Sequence, residues 1–377
     1  MSNHLHNAPE RIAQLQTLMK AQNLDVLIAT SPANFTYASG IIIPSQVNIP
    51  DRLAFAVIPV SGAPLLLVCG IERGIAEAQN SALCISTYTE EHDEPFYKLR
   101  QLLDAHGLNH GRLGIEEKSL AMGFGRLLKS HLSHFTIVAA DQVFDESRFS
   151  KTPYEVDNLE HGAKQTQKAI RAALDSFQVG MTELELYREL SKNLLDMGSA
   201  GIVSLTCCAG ERTAILHAEP TNRKIQSGEA IKIDIHGRFN GYLSDIARMA
   251  YAGDPRPEII ENYRTFWQLH KEILALPKVG MKVGEFVQRI KVLYEEAGFG
   301  YTVPHMGHSF GLGLHEAPLL TEFSSTKLQP GTTLSVEPRA LNPVGDRYHL
   351  EDPVLITDAG PKVLSAPEDF EFYIGIG

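Results

Sequence analysis

Cysteine is scarce in this chain, and its four residues, Cys69, Cys84, Cys207 and Cys208, show no C-x-x-C spacing. Two of them adjoin, so neither a disulfide framework nor a thiolate zinc site is indicated, and reduced, mostly buried thiols are expected. A basic surplus is also missing: 34 Lys and Arg stand against 45 Asp and Glu, a formal charge of −11. That field repels nucleic acid and anionic membrane, and an anionic substrate would need a local device. No apolar run approaches the roughly 18 to 20 residues that span a bilayer. The start, Met1-Ser-Asn-His-Leu-His6, lacks the basic-then-apolar pattern of a secretory signal, and a cytoplasmic location is the expectation.

At 377 residues the chain exceeds the roughly 100 to 200 of one domain, so two domains are expected. From about residue 10 to 142, helical periods alternate with short apolar runs. The pattern predicts a helix near Arg11–Gln22, a strand over Asp25–Ala29, a hairpin over Phe55–Cys69 turned at Ser61-Gly62, and further helices and strands up to Ala139. Such alternation is that of an open α/β domain. Asp145–Tyr154 is polar and carries Lys151-Thr-Pro153 before a long helical pattern from about Glu155. The boundary is placed there, dividing 1–147 from 148–377.

The second part repeats itself. Val179-Gly-Met-Thr-Glu-Leu-Glu runs through a helical pattern to Gly198, and Val279-Gly-Met-Lys-Val-Gly-Glu runs to Gly298. Leu216-His217-Ala-Glu-Pro220 parallels Leu314-His315-Glu-Ala-Pro318. Ile225 to Asp234 then parallels Leu328 to Glu337, and Tyr242-Leu-Ser-Asp245 parallels Tyr348-His-Leu-Glu351, so an acid closes each segment. Two related half-domains would bring Asp234, Asp245, Glu337 and Glu351 together across a pseudo-twofold axis.

Four carboxylates in one buried site repel, because each neighbour raises the others' pKa and burial adds to the penalty. Two divalent cations would balance the four charges and leave neutral His308 as a fifth ligand. A shell of one imidazole and four carboxylates without thiolate is mainly hard, which favours Mn²⁺ or Co²⁺ and leaves Zn²⁺ or Fe²⁺ as alternatives. Paired metals of this kind share a water, lower its pKa and polarise a substrate carbonyl. His217 and His315 occupy matching positions in the two copies. Neither is needed to complete the ligand set, and both are expected to donate hydrogen bonds to substrate or to a developing oxyanion.

These segments resemble the pita-bread metallopeptidases: Xaa-Pro aminopeptidases, prolidases and methionine aminopeptidases, with creatinase as a metal-free relative. The carriers are Ile233-Asp-Ile-His-Gly, Gly241-Tyr-Leu-Ser-Asp245-Ile-Ala-Arg248, Gly307-His-Ser-Phe-Gly-Leu-Gly-Leu-His315-Glu-Ala-Pro318, Ser335-Val-Glu337-Pro and His349-Leu-Glu351-Asp. The resemblance implies an α+β chain with a C-terminal pita-bread domain of duplicated αβ halves behind an α/β creatinase-type N-terminal domain. Asn34-Phe-Thr-Tyr37-Ala-Ser-Gly40 looks like the characteristic turn of that first domain, which methionine aminopeptidases lack. It further implies that Asp245 and Glu351 bridge two metals, that Asp234 completes one and His308 with Glu337 the other, and that Glu337 shuttles a proton. His217 and His315 match the two substrate-facing histidines.

Three positions depart from the family pattern. His236 stands where glycine is usual, His349 replaces the arginine of Arg-x-Glu-Asp with Arg347 two residues too early to substitute simply, and Arg339 follows Glu-Pro where glycine is usual. The leading expectation is a dinuclear metallohydrolase cleaving Xaa-Pro bonds of short peptides, aminopeptidase or dipeptidase. It would be a homodimer in which the neighbour's N-terminal domain closes the pocket, as in related dimers. Alternatives are the same scaffold acting on a small non-peptide metabolite, as creatinase, ectoine hydrolases or dimethylsulfoniopropionate lyase do, and a non-enzymatic binding protein.

Overall fold

The computed structural model describes residues 8–92 and 94–377. Met1–His6, on which the expected location partly rests, lies outside them. The chain forms two compact units that meet between Arg148 and Phe149. Among the described residues no helix is long and apolar enough to cross a membrane.

The first unit is built on a mixed sheet of β1 (Val26–Ala29), β2 (Phe55–Pro59), β3 (Leu65–Cys69), β4 (Cys84–Tyr88), β5 (Gly111–Ile115) and β6 (Phe135–Ala139), in the order β4-β3-β2-β1-β5-β6. Its central strands are buried on both faces, and so read as continuous apolar runs. One local expectation is corrected. Asn34–Gly40 is not a turn: Pro32–Ser39 is a helix capped by the Ser31 side chain and ended by Gly40 at φ 71°. A proline at the first helical position and a left-handed glycine at the end are helix signals. The polar stretch after Asp145 holds the boundary between the units, and helix Asp141–Phe149 runs through its first half. Of the four free cysteines, Cys84 is exposed rather than buried.

The second unit opens with the helix Pro153–Asp175, where Thr152 and Glu155 form a reciprocal capping box. It then contains two five-stranded sheets and, apart from them, one strand pair. One joins β7 (Ile202–Ala209), β8 (Ala230–Phe239), β9 (Tyr242–Leu243) and β10 (Ile246–Ala252). The other joins β11 (Gly307–Ser309), β12 (Glu316–Leu319) and β13 (Thr333–Val336) to β16 (Asp352–Thr357) and β17 (Gly360–Val363), while β14 (Arg339–Leu341) pairs only with β15 (Arg347–His349). A final strand, β18 (Ile374–Ile376), closes the edge beside β10.

The internal repeat is visible in the backbone. Helices Glu183–Asp196 and Val283–Glu296 precede the path β10-β8-β7 in one sheet and β16-β13-β11 in the other. Gly180 N–H donates to the Ile225 carbonyl and Ile225 N–H to that of Met181, and the same exchange joins Gly280, Leu328 and Met281. The half-domains meet at a backbone bridge between Ala247 and Glu351. Behind the second sheet, Tyr263, Phe266, Phe299 and Tyr348 form a buried aromatic cluster, anchoring β15 on the helix Pro257–Leu274.

Candidate metal centre

Strand geometry explains how residues far apart in sequence converge. On β8, Lys232, Asp234 and His236 occupy alternate positions and leave one face. Ile235 pairs with Ile246, so Asp245, just ahead of β10, falls across from His236. The chain reverses tightly there: Asn240 and Gly241 take φ of 51° and 87°, the two-residue hairpin geometry that asparagine-glycine favours. In the other half, Val336 pairs with Asp352, which sets Glu337 across from Glu351. His308 lies opposite Ser335 on β13. Close approach of these strands requires Gly307: a Cβ there would sit 1.9 Å from the Ser335 carbonyl oxygen, and its φ is 128°.

The five expected metal-binding residues are brought together, all buried. Ligand atoms of Asp234, His236, Asp245 and Glu351 lie within 4.8 Å of one another, as do those of His308, Glu337 and Glu351. Glu351 belongs to both groups, and His308 Nε2 is 3.7 Å from Asp245 Oδ2. Asp234 Oδ1 and both carboxylate oxygens of Asp245 are buried with no hydrogen-bond donor beyond the His236 ring. Carboxylate oxygens so enclosed carry a heavy desolvation penalty that a cation among them removes. The residues present therefore fit divalent ions.

Electrostatics sort the acids. Burial, then the charges of Asp245, Glu337 and Asp234, drive the Glu351 carboxyl well above its usual range. Burial also opposes the charge on Glu337, yet His305, His349 and Arg339 hold it well below that range. Against the same effect, His236 and then His308 lower Asp245. Burial disfavours the charged form of His236, but Asp245 and Asp234 bring its pKa up to about 10.

The three departures all face this cluster. Arg339 Nη1 is 3.3 Å from Glu337 Oε2, and Nη2 donates to the His305 carbonyl. Arg339 is the direct cross-strand partner of His349, whose Nε2 lies 3.5 Å from Glu337 and 3.7 Å from Glu351. Arg347 turns elsewhere and donates to the Ala214 carbonyl.

The two expected substrate histidines differ in setting. His315 stacks on His308, with ring centroids 3.8 Å apart. Burial of the stacked side and the charge of His308 lower its pKa, although its outer edge is open to solvent. His217 is exposed in the turn after Gly210–Ala214, and nothing among the described contacts joins it to the cluster. A buried lysine holds the turn beside each. Lys232 donates to the carbonyls of Thr213, Ile215 and Leu216, and Lys151 pairs with Glu316, whose other oxygen accepts from Gly313 N–H.

Residues 157–358 match the description "Metallopeptidase family M24". The chain belongs to that family. Residues 11–150 match the creatinase/prolidase N-terminal domain. A Xaa-Pro dipeptidase of Pyrococcus furiosus is 27% identical over 366 residues, covering 95% of this chain and 98% of the relative. The structure of a prolidase from Pyrococcus horikoshii superposes with a TM-score of 0.82 at 25% identity, over 95% of this chain and 99% of the other. An X-Pro aminopeptidase from Thermotoga maritima gives 0.80 at 18% identity, over 92% and 96%, and speaks to fold alone.

Several parts of this M24 centre escaped the sequence reading. His305 Nδ1 is 3.3 Å from Glu337 Oε1, and Ser335 Oγ donates to Glu351 Oε1. Asp352 binds Arg248, His270 and Ser365, while Arg248 also donates to the Glu351 carbonyl oxygen. Ser335, Arg248 and Asp352 lie inside the family-like segments, which could have marked them. His270, 82 positions from its partner, had no local signal.

Proposed function

We propose that the chain is a Xaa-Pro dipeptidase, with residues 148–377 as its catalytic domain and 1–147 as its creatinase-like partner. The observation that carries this reading is the buried double cluster sharing Glu351, in a chain similar along almost its whole length to a Xaa-Pro dipeptidase. Asp234, Asp245, His308, Glu337 and Glu351 would hold two divalent ions, Mn²⁺ or Co²⁺ by their hard shell. Such a pair supplies Lewis acidity and a water acidic enough to yield hydroxide near neutral pH. Glu337, kept ionised by His305, His349 and Arg339 against its burial, takes up the proton of the attacking water and passes it to the leaving proline nitrogen. His315, held towards its neutral form, donates one hydrogen bond to the scissile carbonyl or its oxyanion. His217 is assigned the matching role on the flanking residue.

The reading extends to a homodimer in the cytoplasm, on the strength of the family resemblance, with the neighbour's N-terminal domain completing the pocket. Light scattering of the purified protein tests the dimer. The non-peptide alternative draws no support from the relatives named above, which are peptidases. Turnover decides between them: after reconstitution with Mn²⁺, Ala-Pro and Gly-Pro should be hydrolysed faster than longer Xaa-Pro peptides. Creatine, N-acetylated diamino acids and sulfonium compounds should remain intact. No cleavage of any Xaa-Pro peptide would refute the proposal.

A further inference from the structure

We infer that His236 is a sixth protein ligand of the metal pair, so that each ion is bound by one imidazole. The inference rests on the two-ion reading above. His236 leaves the same face of β8 as Asp234 and sits across from Asp245. Its Nε2 lies 2.8 Å from Asp245 Oδ1 and 3.4 Å from Asp234 Oδ1. Apart from this ring those oxygens have no hydrogen-bond donor, and the far ring nitrogen of His236, Nδ1, is buried on the side of the Ser204 backbone. The residue is only 8% exposed, so the ring does not reach out to bulk water.

The geometry divides the donors evenly. Asp234, His236, Asp245 and Glu351 form one group, while His308, Glu337 and Glu351 form the other. Without His236 the first group would be carboxylate alone. With it, each group carries one borderline nitrogen donor among hard oxygens, and imidazole favours later first-row ions more than carboxylate does. The competing account is that His236 acts only as a cation pairing with Asp245. A protonated ring that close to two doubly charged ions would be repelled, whereas a neutral ring offers Nε2 as a donor at the point where the two aspartates converge. The consequence reaches metal choice: the first position should prefer Co²⁺ or Zn²⁺ over Mn²⁺ more strongly than an all-carboxylate group would.

Metal binding, independent of turnover, tests this. Apoprotein is titrated with Co²⁺ and with Mn²⁺ by calorimetry, with visible absorption recorded for Co²⁺, in wild type, His236→Ala and His236→Cys. Circular dichroism of each apoprotein checks folding. Wild type should take up two Co²⁺ per chain. In His236→Ala one of the two sites should weaken at least about ten- to hundred-fold for Co²⁺, the scale on which even indirect supports of a metal act, and less for Mn²⁺. His236→Cys should gain a near-ultraviolet thiolate-to-cobalt charge-transfer band, which an ion-pair role would not produce. An unchanged Co²⁺ affinity in His236→Ala, together with no such band in His236→Cys, would overturn the inference. Wild-type protein that never binds a second ion would sink the two-ion reading itself, and this inference with it.

Discussion

Arg248→Met tests whether the frame behind the acids is held by charge. Arg248 is 1% exposed and binds Asp352 through Nη2 at 2.5 Å and Nη1 at 3.2 Å. It also donates to the carbonyls of Ala247 and Glu351, the two residues at which the half-domains join. Burial opposes the Asp352 charge, but Arg248 and His270 bring its pKa down from 3.8 to about 2. A folded value below the unfolded one means stability that is present above about pH 4 and fades as pH falls towards 2, worth roughly 2 kcal/mol. Removing the guanidinium reverses the sign, because the carboxylate stays buried with far less compensation, and the full loss should be about 3 to 5 kcal/mol. At roughly 2 to 4 °C per kcal/mol for a unit of this size, the melting temperature of the second unit should fall by roughly 6 to 20 °C at pH 7. Scanning calorimetry with a chelator present measures this without metal-linked stabilisation. In the variant the folded carboxyl titrates above its unfolded value, so the destabilisation is relieved as pH falls through that raised pKa. The gap to wild type should therefore narrow from pH 7 to pH 4. A loss below about 1 kcal/mol, or a gap independent of pH, would refute the reasoning.

Glu351→Gln removes the carboxylate common to both groups, and elemental analysis after dialysis against Mn²⁺ should find neither ion retained; two ions per chain would contradict the shared role. Gly307→Ala forces a Cβ against the Ser335 carbonyl at positive φ. Displacing His308 in this way should destabilise the protein by about 1 to 3 kcal/mol and leave one Co²⁺ per chain, as read by denaturation and metal titration. Lys232→Met leaves the Thr213, Ile215 and Leu216 carbonyls without their buried donor. Because that turn leads to His217, kcat/KM on Ala-Pro should drop by about ten-fold, equivalent to roughly 1.4 kcal/mol, with metal content unchanged. Full activity in that variant would detach His217 from the reaction.

Much of the centre could be read because its acids sit at matched places in the two repeats, although Asp234 lies in the middle of β8 rather than closing it, while Glu337 directly follows β13. Asp234 and Glu337 close segments with the same glycine turn and apolar alternation, and Asp245 and Glu351 follow at matched steps. The helix near Arg11–Gln22, the long one from Pro153 and the two that open the repeats were legible from their period, whereas Pro257–Leu274 was not. What failed was short or non-local. Eight-residue Pro32–Ser39 is too brief for periodicity to declare, and its proline and glycine read equally well as a turn. His305 and His270 reach the cluster through tertiary packing, with no spacing rule to connect them to Glu337 or Asp352. The repeat is not exact in the fold at one point: His217 and His315 match in sequence, yet only His315 is followed by a strand, β12, and stacks on His308.

Arg339 and His349 show why a substitution beside a metal centre has to be read across the sheet rather than along the chain. Taken singly, His349 removes a fixed positive charge from the motif that ends in Glu351, and Arg339 adds one where a small residue is usual. The β14–β15 register makes these facing positions, and facing side chains start about 4.5 to 5.5 Å apart. A guanidinium can therefore move from one strand to its partner and still reach the same acid. Arg339 stands 3.3 Å from Glu337, with its backbone fixed by Tyr294, whose hydroxyl accepts from Arg339 N–H and donates to its carbonyl. The facing position on β15 supplies an imidazole between Glu337 and Glu351. Unlike arginine, that ring can be neutral, so when two divalent ions balance the four carboxylates it adds no surplus charge. The register thus sets a guanidinium against Glu337 and an imidazole between Glu337 and Glu351 from facing positions of one strand pair.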